Sequence, residues 1–78
     1  MPTIDFIGPY RFFFYSSDGG EPAHVHVRRE RFTAKFWLEP VLPANSNGFS
    51  DRELLRIQQL VQRNQALFLE KWHDYFDA

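Results

Sequence analysis

The 78-residue sequence has no cysteine. That absence excludes a disulfide framework and any thiolate metal cluster, and it fits a reducing compartment such as the cytoplasm. There is no apolar run of the roughly 18 residues or more that a membrane helix requires. The N-terminal stretch MPTIDFIGPY lacks a basic region followed by an apolar block, so a secretory leader is not expected either. An excess of one charge is missing as well: the net charge is −1, which argues against a uniformly basic nucleic-acid-binding surface. Internal repeats and low-complexity tracts are absent, and residues 51 to 78 contain neither Gly nor Pro.

Aromatic residues, by contrast, are plentiful, at 18% of the chain with nine Phe. A chain of this size buries only about 60–65% of the surface its unfolded form exposes. Rings that bury roughly 150–250 Å² each therefore fill a small core efficiently. A single folded domain over residues 1–78 is expected.

The N-terminal half reads as strand, over about residues 4–39. PYRFFFYSSD is aromatic and β-prone, and SSDGG at residues 16 to 20 closes it as a turn. In AHVHVR, His24, His26 and Arg28 face one way and Val25 and Val27 the other. RFTAKFWL alternates likewise, setting Arg31, Thr33 and Lys35 against Phe32, Ala34, Phe36 and Leu38. Period-two alternation marks strands with one buried and one wet face. Arg28 to Arg31 is short enough for a hairpin connection. Pro40, Pro43 and NSNG read as a loop over about residues 40–49.

From about residue 50 to 77 the pattern becomes helical. Ser50 and Glu53 form a capping box, with Ser50 accepting the Glu53 N–H and the Glu53 carboxylate reaching back. Leu54, Ile57, Val61, Phe68, Trp72 and Tyr75 recur at helical spacing. An unbroken helix here would be about 40 Å long at 1.5 Å per residue, so a bend near Asn64 or a projecting end is expected. The fold class predicted is α+β: a three-stranded antiparallel β-β-β sheet covered on one face by a long or bent C-terminal helix. On that fold His24, His26, Thr33 and Lys35 share the opposite face, uncovered.

What that face does is open to three readings. Residues two apart on a strand project together with Cα atoms roughly 6.5–7 Å apart, so His24 and His26 can share one zinc or copper ion. Glu21 is the nearest candidate for a third ligand, with Asp18 also close in sequence. Against this, the neighbours are cationic. Metal-free cleavage of RNA suits the cations better. His24 and His26 would act as base and acid, while Arg28, Arg31 and Lys35 stabilise the phosphorane, and no cofactor is needed. Tyr15 or Tyr10 would then stack a base or donate to phosphate. In the plain reading the histidines and arginines are polar residues on a wet sheet face. Trp37 and Trp72 read as packing residues, and His73 as an ordinary surface histidine.

FFFYSSDGGEPAHVHVRRE followed by ELLRIQQLVQRNQALFLEKWHDYF resembles the small bacterial proteins of the domain of unknown function 4160 family. The matching positions are Phe14, Tyr15, Ser17, Asp18, Glu21, Pro22, His24, His26, Val27, Asn64, Leu67 and Trp72. Glu21 departs from the Pro common at its position and adds a carboxylate beside the histidines. Members look as if encoded beside a second small family, domain of unknown function 2442. That arrangement implies the toxin-like component of a toxin–antitoxin pair with an antitoxin-like protein partner, and an RNA target would agree with the His and Arg face. A sheet edge left open also leaves room for a homodimer.

Overall fold

The computed structural model describes residues 3–77. Five strands, not three, form one antiparallel meander in sequence order: β1 (Thr3–Ile7), β2 (Tyr10–Phe13), β3 (His24–Arg29), β4 (Phe32–Leu38) and β5 (Val41–Asn47). A short 3-10 turn, Ser16–Gly20, joins β2 to β3. Two helices, α1 (Asp51–Arg63) and α2 (Gln65–Phe76), follow the sheet.

Both additional strands have a local physical cause. Gly8 holds a φ of +57°, in the left-handed region that Gly enters without steric penalty, and the Gly8–Pro9 turn folds β1 back on β2. The segment expected as loop is instead an edge strand. Leu42 and Pro43 pair with Trp37 and Phe36, and a register shift follows. Proline is tolerated there because an edge strand has one side with no ladder to complete. The β3–β4 hairpin turns at Glu30 and Arg31, with Glu30 at φ +57°.

The alternation in β3 and β4 is realised as read. Val25, Val27, Ala34, Phe36 and Leu38 are buried together with Phe12 of β2 and with Ile57, Val61 and Phe68 of the helices. In an antiparallel sheet residues directly opposite share a face. The register Phe13–His26–Lys35 and Arg11–Arg28–Thr33 therefore places all six on the side away from that core.

The helical segment breaks at Asn64, where φ is −106° and ψ 14°, and the Asn64 side-chain amide donates to the Leu60 carbonyl at 2.8 Å. This tie closes α1 and lets α2 start in a new direction. At the other end of α1, Ser50 accepts the Glu53 N–H at 3.1 Å. The second half of the expected capping box is not formed. The Glu53 carboxylate accepts two bonds from Arg29, at 2.7 and 2.8 Å, and one from the Tyr10 hydroxyl at 2.8 Å. Helix α1 is thereby tied to β2 and β3. Among the described residues no helix is long and apolar enough to cross a membrane.

Candidate metal centre

Strand β3 begins at His24, and the 3-10 turn passes directly over its start. His24 and His26 point from one face of the strand, and the turn brings Asp18 against both. Asp18 Oδ2 lies 3.1 Å from His24 Nε2 and 3.0 Å from His26 Nε2. The three ligand atoms all fall within 4.8 Å of one another. Asp18 is fixed in place by the Tyr15 N–H, which donates to the same oxygen at 2.8 Å.

His24 is not on an open face as the sequence suggested. It is 0% exposed, held between Trp37 and Trp72 with ring centroids 5.7 and 4.9 Å away. The C-terminal part of α2 causes this enclosure. Trp72 and Phe76 join Phe14 beside the 3-10 turn, and the Phe76 ring lies so close to Gly19 that a Cβ there would come within 2.7 Å of it. Gly19 is thus the residue that lets the turn and the helix meet. His26 is more open: its side chain is 19% exposed, stacked on Phe13 and in edge contact with the half-exposed Tyr15.

The tautomers follow from the partners. His24 Nδ1 sits 2.9 Å from the Pro22 carbonyl, which only accepts, so Nδ1 carries the proton. In the neutral ring Nε2 is then a bare lone pair. It is buried and has no hydrogen-bond partner, because its approach to Asp18 Oδ2 does not have hydrogen-bond geometry. Two acceptors face each other across 3.1 Å with no hydrogen bond between them. Unsatisfied buried polar atoms are costly, and this pair calls for a positive charge. His26 Nε2, in contrast, bonds Asp18 Oδ2 and so donates to it.

The electrostatics favour ligand forms. Burial alone would push the Asp18 carboxyl up, yet the Tyr15 N–H and the two imidazoles outweigh it and hold it below its ordinary value. Burial lowers the His26 pKa despite the opposing influence of Asp18, keeping the imidazole neutral. Glu21, the third ligand considered from sequence, is not part of the convergence. Its Oε1 is 3.7 Å from His24 Nδ1, the wrong nitrogen, and it bonds Lys35, which holds its carboxyl below the usual range.

The cations expected to act together differ in their partners. Lys35 is bonded to Glu21 and lies over the Trp37 ring. Arg31 stands at the hairpin tip, over Phe32. Tyr10 is in the core-side cluster, bonded to Glu53, away from the histidines. Lys35 shares the histidine face but is engaged by Glu21, whereas Arg28 has no carboxylate partner among the described residues and is joined there by Arg11, which sequence reading missed. Arg11 follows no visible motif: only the pairing of β2 with β3 sets it opposite Arg28. Asp18 was considered from sequence as a nearby ligand, but its approach to both histidines depends on the fold of the 3-10 segment.

The family model for a domain of unknown function (DUF4160) matches residues 10–73. No curated protein and no solved structure matches the chain.

Proposed function

This chain belongs to the DUF4160 family of domains of unknown function, and from that starting point we propose that it is a metal-binding domain whose Asp18, His24 and His26 hold one divalent transition-metal ion. The observation that carries this reading is the buried, unpartnered His24 Nε2, aimed with His26 Nε2 at a single carboxylate oxygen. Donor atoms bound to one ion at about 2.0–2.2 Å stand about 3.0–3.5 Å apart, and both imidazole-to-carboxylate separations fall at that spacing. The His24 Nδ1–H bond to a backbone carbonyl is the outer support that metal-bound histidines usually have. Only the Nε2 proton of His26 has to move when the ion enters.

Two histidines and one carboxylate suit zinc and iron(II) better than magnesium or calcium, which prefer all-oxygen sites. Three protein ligands leave coordination positions free for water or substrate, the arrangement of a catalytic rather than a closed structural site. The open side is that of His26 and Tyr15, since Trp37 and Trp72 close the side of His24. An ion there would act as a Lewis acid and lower the pKa of a bound water.

Metal-free acid–base catalysis by His24 and His26 is not supported by this arrangement. A general base must reach the proton it removes, and a fully buried His24 cannot touch a ribose hydroxyl. The toxin–antitoxin role implied by the family resemblance, with an antitoxin-like partner, is retained as a role for the metal-loaded form.

Calorimetric titration of tag-free protein with zinc tests the proposal. One ion per chain is expected, with affinity reduced more than roughly tenfold in Asp18→Asn and in His26→Gln. An absence of binding, or binding unchanged in both variants, would rule out this centre.

A further inference from the structure

Beside the three ligands lies a second feature that packing does not explain. Arg11 of β2 and Arg28 of β3 are directly opposite each other on the histidine face. Like charges in that position destabilise a sheet. Elsewhere in the fold the problem is answered by a carboxylate: Arg29 has Glu53, and Lys35 has Glu21. Among the described residues neither Arg11 nor Arg28 is paired with an acid. Arg11 donates to the Thr3 hydroxyl and Arg28 to the Glu30 carbonyl, both neutral acceptors.

This cationic pair adjoins the metal centre. Arg28 is two residues from His26 on the same face, a Cα separation of roughly 6.5–7 Å. The Arg11 guanidinium lies 4.7 Å over the Phe13 ring, and Phe13 stacks on His26. The Tyr15 ring, 43% exposed, meets the edges of both Phe13 and His26. Two guanidiniums without a carboxylate partner among the described residues, a position for a divalent cation and a part-exposed aromatic ring therefore adjoin one another on one sheet face.

We infer that the open side of this centre takes the phosphodiester backbone of a single-stranded nucleic acid, one phosphate on the ion and a neighbouring one on Arg11 and Arg28. The inference rests on the metal reading above. Guanidiniums are suited to phosphate because their planar donor fork matches two phosphate oxygens. A single strand is favoured over a duplex because its unstacked bases can lie against an exposed aromatic ring, here Tyr15. With a net charge of −1, attraction to a polyanion has to come from a local cationic face such as this one.

The test is fluorescence anisotropy of zinc-loaded protein with labelled single-stranded RNA, single-stranded DNA and duplex DNA of one sequence, at several salt concentrations. Inorganic phosphate serves as competitor. Wild type is expected to prefer the single strands. Arg28→Ala and Arg11→Ala should each keep one zinc per chain while losing oligonucleotide affinity, with the salt slope reduced by about 0.7 per lost phosphate contact. A preference for RNA over DNA would assign the ribose hydroxyl a part, and equal affinity would assign the backbone alone. The inference is overturned if duplex binds as tightly as single strand, or if phosphate competes as well as the oligonucleotide. It is equally overturned if zinc removal or both arginine changes leave binding intact. Zinc titration of the same samples reports on the metal centre separately, so failure of one reading is distinguishable from failure of the other.

Discussion

His24 and His26 leave β3 from the same face, yet one is sealed and the other half-open. The difference comes from their cover: Trp72 arrives from α2 and, with Trp37, closes over His24, while His26 meets Phe13, Tyr15 and Asp18 and stays part-open. Their contributions to stability should therefore diverge. In metal-free protein, His24→Ala is expected to cost roughly 2–4 kcal/mol, as for other large buried rings. His26→Ala should cost about 1 kcal/mol or less, as for partly exposed sites. Urea unfolding in the presence of a chelator measures both, and equal losses would contradict the burial asymmetry. Period-two alternation gave the shared direction of these residues, but no strand pattern could reveal the cover supplied by Trp72 from the far end of the chain.

At the scale of elements, legibility followed side-chain pattern. The β3 and β4 cores and the Ser50 cap were readable because each rests on local residue chemistry, while the break at Asn64 was one of two alternatives the sequence left open. Strand β5 was not, since only Val41 is buried and Leu42 to Asn47 are all exposed. Its strand character comes from backbone pairing with β4, which leaves no hydrophobic signature. Glu53 shows a related limit. Its spacing from Ser50 fits a capping box, but Arg29 is a stronger partner than a backbone N–H because the bond is bidentate and charged on both sides. The Arg29 hydrogen bonds hold the Glu53 carboxyl below its ordinary range. A depressed folded-state pKa contributes stability that is complete above the unfolded value, about 4.3, and is lost as pH falls through the lower folded value. Glu53→Gln should flatten that acid limb in thermal melts between neutral and acid pH, and an unchanged limb would show that this tie adds nothing to stability.

Over the whole molecule, the helices have two duties. Ile57, Val61 and Phe68 close the main core, while Trp72 and Phe76 reach past it to Phe14, Gly19 and His24. That second contact seats the turn carrying Asp18 over the start of β3. The centre is thus assembled from three separate parts of the chain: the turn, the strand and the C-terminal helix. A small domain gains from such closure, because ligand binding to the folded state alone adds to its stability.

The most direct test is atom-specific. Nitrogen-15 NMR of the imidazole rings, recorded before and after one equivalent of zinc, reports each ring nitrogen separately. The expected result is that Nε2 of both His24 and His26 moves to the metal-bound range while His24 Nδ1 keeps its proton to Pro22, and that Asp18→Asn weakens the change. Rings that do not respond to zinc, or a response at His24 Nδ1 in place of Nε2, would contradict the centre described.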